Sequence, residues 1–115
     1  TLSTRSYINL IKQAQALNYT VSLIYFWLNT PELAIERVKQ RVANGGHDVP
    51  SPIIRRRYYS GLSNFFNIYM SCVDYWMLAD NSKTPRVIVA DAYKKSDHPH
   101  IYTPVLNHKI KSYVN

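Results

Sequence analysis

Cysteine is nearly absent: Cys72 stands alone among 115 residues, so neither an internal disulfide nor a cysteine-framed zinc site can form. Glycine is almost as scarce. Gly45, Gly46 and Gly61 are the three present, and no Gly-x-x-x-x-Gly-Lys-[Ser/Thr] loop that would cradle phosphates occurs anywhere. The longest near-continuous apolar run, Val21 to Leu28, is far short of the roughly 20 residues that span a bilayer, and no basic-then-apolar leader precedes it. No membrane partner is expected, and a lone thiol fits the reducing cytoplasm. Acidic residues are few, 7 Asp and Glu against 14 Lys and Arg, which gives a formal charge of +7. That balance favours anionic partners such as phosphates or nucleic acid without choosing between them. Apolar character is plentiful: 46% of residues are hydrophobic and 13% aromatic, enough for a core and too much for a disordered chain. The length suits one small domain.

Ser3 or Thr4 is placed to cap a first helix with Tyr7, Ile8, Ile11, Ala14 and Leu17 at steps of three and four, and Asn18 supplies a left-handed stop. Thr20 to Leu28 is β-branched, aromatic and almost wholly apolar, the pattern of a strand buried on both faces. Thr30-Pro31 opens a second helix to about Asn44, ended by Gly45-Gly46. Ser51-Pro52 repeats that start, and Ile54, Tyr58, Leu62, Phe65, Tyr69 and Val73 line one face of a long third helix. Short strands are expected at Trp76–Ala79 and Arg86–Ala90, with the turn Asp80-Asn81-Ser82 between them. The remainder, from Ala92, has no clean period beyond a weak helix near Leu106 to Tyr113. The order α-β-α-α-β-β predicts an α/β fold.

The densest chemistry is Arg37-x-x-x-Arg41, then Gly45-Gly46-His47-Asp48-Val49-Pro50, then Ile54-Arg55-Arg56-Arg57-Tyr58. Arg37 and Arg41 share a helix face, and the glycines let the chain turn sharply before a helix that begins with three arginines. Cations on two helix ends around a flexible loop suit phosphoryl transfer, where catalysis is mostly positioning and stabilisation of spread negative charge. Three cations at a helix N-terminus also oppose its dipole and so want an anion nearby.

These residues, together with Thr1-Leu2-Ser3-Thr4, Asn18-Tyr19, Leu33-Ala34-x-x-Arg37-Val38-x-x-Arg41-Val42 and Asp80-Asn81-Ser82, resemble the C-terminal half of zeta-toxin-like P-loop kinases. The branch is the one often labelled predicted ABC-type ATPase, and the likeness covers about the first 90 residues. Its most specific element is the Gly-Gly-His-Asp-Val-Pro to Arg-Arg-Arg-Tyr segment. The resemblance implies a P-loop α/β fold with a parallel sheet flanked by helices, an Arg-rich lid at about residues 44–57, and a tail at 92–115. It further implies ATP with Mg²⁺ as cofactors and a small hydroxylated acceptor, which in characterised toxins is a UDP-activated amino sugar, and it leaves room for an antitoxin protein as partner. In that family the phosphate loop and catalytic carboxylate lie N-terminal to the matched region, so their absence, like an opening at Thr1 without Met, is what a C-terminal fragment would show. Such a chain is expected not to turn over ATP by itself.

Carried over by resemblance, Arg41 and Arg57 are the residues that would touch the nucleotide or the transferred phosphate. The helical wheel instead places Arg55 nearest the apolar stripe, so Arg55 stands beside them as a catalytic candidate. Arg37, His47, Asn81 and Ser82 are the nucleotide-binding candidates, and Thr1 and Thr4 the substrate-binding ones. The plainer reading of Arg37 and Arg41 is surface pairing with Glu32 and Glu36. His98-Pro99-His100 with Asp97 lacks helical ligand spacing, so no metal site is assigned. Cys72 reads as core, the ten tyrosines as packing residues with a wet edge, and Asp74, Asp80 and Asp91 as carboxylates without a catalytic partner. Two other classes compete: a basic nucleic-acid-binding module built on Arg55 to Tyr59, which ranks behind nucleotide binding, and a kinase-derived domain that binds nucleotide without catalysis.

Overall fold

A computed structural model describes residues 2–96 and 98–114. The elements run α1 (Tyr7–Ala16), β1 (Ser22–Trp27), α2 (Pro31–Ala43), α3 (Ser51–Asn64), a π-helical turn (Phe65–Tyr69), α4 (Met70–Cys72), β2 (Tyr75–Asp80), β3 (Val87–Tyr93), β4 (His100–Ile101) and α5 (Pro104–Lys111). Helix α2 begins as its sequence dictates: the Thr30 hydroxyl accepts from the Leu33 amide at 3.1 Å, and Pro31 occupies the first turn. Asn18 (φ 66°) and Gly45 (φ 96°) take the left-handed conformations that end α1 and α2. Helix α1 starts later than its candidate caps, after Ser6, whose side chain makes no cap bond.

The sheet has the order β1-β2-β3-β4 and is mixed. Strands β1 and β2 are parallel, whereas β2–β3 and β3–β4 are antiparallel, so the parallel sheet that the resemblance implies is corrected to a mixed one with a single parallel pair. The reason is connection length: β2 and β3 are joined by a short turn, which permits only antiparallel pairing, while the helical crossover between β1 and β2 permits parallel pairing. Strand β4 was invisible as a pattern because two residues carry no periodicity.

Helices cover the sheet on one side. The residues Leu23, Tyr25 and Trp27 of β1, Trp76 and Leu78 of β2, and Ala90 and Ala92 of β3 share a face and join the core with Leu62, Phe65 and Tyr69. Phe65 stacks on Tyr25 at 4.8 Å between ring centroids and meets Trp76 edge-on at 5.8 Å. Ile110 of α5 is fully buried in the same cluster. On the opposite face Ile24 and Phe26 remain 51% and 46% exposed. The expectation that β1 is buried on both faces is therefore corrected: β1 is an edge strand with one open face, despite a sequence suited to a sheet interior.

Candidate functional site

Parallel pairing brings the carboxyl ends of β1 and β2 side by side, the position where open α/β sheets receive ligands. The turn after β2 is wired to that end. The Asn81 amide donates to the Trp27 carbonyl at 2.8 Å, the Asn29 amide donates to Ser82 Oγ at 2.9 Å, and Asp80 Oδ1 accepts from both the Ser82 amide (2.9 Å) and Ser82 Oγ (2.5 Å). From α2, Arg37 Nη2 donates to the Ser82 carbonyl at 3.2 Å. Three of the nucleotide-binding candidates, Arg37, Asn81 and Ser82, are thus gathered at one place. A cavity of about 230 Å³ opens beside them, lined by Trp27, Asn29, Asp80, Ser82, Lys83 and Lys109 among others. Its two lysines make it suited to an anion.

A second group forms at the free edge of β1. Arg57 and Thr4 line a common cleft with Ser3, Tyr7, Arg56 and Ser60, so a catalytic and a substrate-binding candidate meet there. The segment before α1 is held in place by α3 and the π turn: Asn64 Nδ2 donates to the Leu2 carbonyl at 2.8 Å, and the Tyr69 hydroxyl donates to the Thr4 carbonyl at 2.5 Å. Arg57 also borders an adjoining groove of about 520 Å³ whose walls include Tyr7, Ile11, Tyr25 and Tyr69. Gly61 borders the same groove, where a Cβ would lie 3.4 Å from the Tyr25 hydroxyl, ordinary van der Waals contact. Burial raises the Tyr25 phenol well above its ordinary value, so it stays a neutral donor. Thr1 lies outside the described residues.

The arginines of the α2–α3 region do not converge. Arg41 and His47 are exposed, one on the last turn of α2 and the other in the loop between α2 and α3. Arg55 was the residue periodicity pointed inward, and its guanidinium instead lies at the surface, where Nη1 donates to Glu32 Oε1 at 2.7 Å. That hydrogen bond lowers the Glu32 carboxyl and raises the Arg55 guanidinium from their usual values. Glu32 is therefore taken by Arg55 rather than by Arg37 or Arg41, and this corrects the pairing expected within α2. The physical reason is that α3 packs across the start of α2, a contact that no helical wheel of a single segment contains.

Several polar residues outside the candidate set organise the site. The Tyr58 hydroxyl donates to the Leu28 carbonyl at 2.5 Å, and burial above all pushes the phenol up to about 12. Asp74 accepts from the Val21 amide at 2.8 Å and from Gln15 Nε2 at 3.2 Å, which locks the start of β1 to the end of α1. In the sequence Asp74 and Asp80 carried the signal of acidic residues flanking a strand, without a spacing that named their partners. Among the described residues no group of three or more His, Cys, Asp or Glu could hold a metal ion, and Asp97 lies outside them. No helix among them is long and apolar enough to cross a membrane.

No known family profile matches the chain, and no solved structure matches it. An uncharacterized protein of Haemophilus influenzae is 38% identical over 58 residues, half of this chain. The matched stretch spans 41% of that protein's length, and its description assigns no activity.

Proposed function

We propose that the chain is the lid-bearing C-terminal portion of an ATP-dependent small-molecule kinase, of the kind that the Gly-Gly-His-Asp-Val-Pro to Arg-Arg-Arg-Tyr segment resembles. The observation that carries this reading is the Arg37–Ser82 contact at the carboxyl ends of parallel β1 and β2, where an α/β sheet takes its nucleotide. The half-exposed second face of the sheet and the free edge of β1 support it too, since SLIYFW has the composition of an interior strand and this reading supplies its other neighbours from further chain.

The residues present fit part of an ATP site. Asn29 and Ser82 offer hydrogen bonds, and Lys83 and Lys109 offer positive charge, around a cavity able to take part of a nucleotide. They supply no Mg²⁺ cage and no glycine-rich phosphate loop, so in this reading both come from residues upstream. ATP, when bound, supplies the phosphoryl group. In this reading Arg41 from the last turn of α2 and His47 from the loop after it meet the phosphoryl group, Arg57 and Thr4 face the hydroxylated acceptor at the cleft beside β1, and Arg37 holds the Asn81-Ser82 turn in position.

The test is phosphoryl transfer from Mg-ATP to UDP-amino sugars by the gene product that contains these residues. Turnover is expected there and absent from the 115-residue chain. Arg41→Ala and Arg57→Ala should each lower kcat at least about tenfold, the scale of one lost charge contact in the transition state. Unchanged turnover in both variants, or a gene product without an upstream phosphate loop, sinks the proposal. A nucleic-acid-binding module is the alternative, favoured by the open cleft of Arg55, Arg56, Pro52 and half-exposed Tyr59, and it predicts salt-steep oligonucleotide binding without hydrolysis.

A further inference from the structure

Toward the edge of the sheet farthest from β1, the uncovered face carries tyrosines, a histidine and a carboxylate. Register places Tyr75 opposite Tyr93 and Asp91 opposite His100, so strand alternation puts all four on that open face. Tyr75 and Tyr93 pack with ring centroids 4.7 Å apart, and the His100 and Tyr102 rings stack in parallel at 4.2 Å. The Asp91 carboxylate sits among these rings. Its Oδ2 accepts from the Tyr75 hydroxyl at 2.6 Å and lies 3.4 Å from the Tyr102 hydroxyl. Burial and the Asp91 carboxylate both raise the Tyr75 and Tyr102 phenols, which keeps them neutral donors.

In a chain of net charge +7, this carboxylate nevertheless has no ion-pair partner among the described residues. Lys94 and Lys95, its nearest cations along the chain, act on Asp74 instead. A hollow of about 720 Å³ opens over the spot, with Asp91, Tyr93, His100 and Tyr102 in its wall. A half-buried anion edged by aromatic faces attracts positive charge from two sources at once, the carboxylate and the ring quadrupoles. The ring-lined wall and a single carboxylate suit an organic cation far better than a metal ion, which needs several hard ligands.

We propose that Asp91, walled by Tyr93, His100 and Tyr102, forms a binding site for an organic ammonium group. The site lies mostly beyond the region of kinase resemblance and stands or falls independently of that function. The ammonium group could belong to a free quaternary amine or to a lysine side chain, and the ligands of the test separate these sources.

The full chain, isotope-labelled, is titrated with tetramethylammonium, n-butylammonium, N-acetyl-lysine amide and the uncharged 3,3-dimethylbutanol, while amide resonances are followed by NMR at constant ionic strength. Saturable shifts at Tyr93, His100 and Tyr102 are expected with the cations, and binding of the alcohol should be at least about tenfold weaker. Preference for tetramethylammonium assigns a free quaternary amine, and preference for the lysine derivative assigns a protein side chain. Asp91→Asn should weaken cation binding about tenfold through loss of the charge. Tyr102→Leu, at a residue already 49% exposed, should weaken it as well and serves if Asp91→Asn fails to fold. Equal binding of the uncharged alcohol, equal affinity in the folded variants, or no saturable shift with any cation overturns the proposal.

Discussion

Arg37 and Ser82 are 45 residues apart in sequence and 3.2 Å apart in space, joined by a guanidinium nitrogen donating to a backbone carbonyl. This contact ties α2 to the turn after β2, and it does so at the sheet end where the Asn81 amide already bonds to Trp27 of β1. A surface helix and the carboxyl ends of β1 and β2 are thereby held in one geometry.

Arg37→Ala should cost about 1–2 kcal/mol of stability, the scale of a hydrogen bond from a charged donor to a half-buried acceptor, as read by urea denaturation. On the proposed kinase reading, the same change in the gene product should raise KM for ATP more than it lowers kcat, because Arg37 holds the turn rather than meeting the reacting atoms. An unchanged KM would separate the turn from nucleotide binding.

Phe65 is the centre of the aromatic core, fully buried between Tyr25 and Trp76. Phe65→Ala should cost about 3–5 kcal/mol, combining lost burial with the cavity left behind. In a domain with only one covered sheet face, that is a large part of the total stability. Loss of the cooperative melting transition is the expected readout, whereas a melting curve close to that of the parent would show that the core closes over the gap.

Acid should loosen the start of β1 through Asp74. The Val21 amide and, secondarily, Gln15 hold its carboxyl below the usual range. A carboxyl depressed in the folded state stabilises fully above its unfolded value of about 4, and that stabilisation is lost as pH falls through the folded value. Amide exchange at Val21 should therefore accelerate below about pH 4. Asp74→Asn should flatten this dependence, and if its profile matches that of the parent, another carboxylate is responsible.

The apolar open face of β1 should make the isolated chain self-associate. Ile24 and Phe26 are half-exposed beside an unpaired strand edge, a combination that templates pairing with other chains. Sedimentation should show mass rising with concentration, and Ile24→Lys should return the chain to monomer. A parent chain that is monomeric at all concentrations would contradict this reading of the edge.

Local patterns proved a good guide to the elements and a poor one to their neighbours. The Thr30 cap, the left-handed Asn18 and Gly45, and the Ile54-to-Val73 stripe all correspond to observed features, because each is fixed by interactions within one turn or one helix face. The stripe hides a π turn at Phe65–Tyr69, whose two end residues are both buried. Tertiary packing, which no local pattern encodes, brings Arg37 to the Asn81-Ser82 turn and sets Arg57 in one cleft with Thr4. Arg55 shows the limit of periodicity: its wheel position suggested the core, and a carboxylate on another helix claimed it.

From its sequence alone this protein was bound to be an α/β chain with a Thr30-capped α2, apolar strands and a cationic α2–α3 region, since propensity, capping and charge act over a few residues at a time. Only the tertiary structure decided that the sheet is mixed, that β1 stands at an edge with one face half-exposed, and that Asp91 sits among tyrosines with no ion-pair partner among the described residues. Those outcomes depend on which strand pairs with which and on what covers each face, and such contacts join residues far apart in the chain.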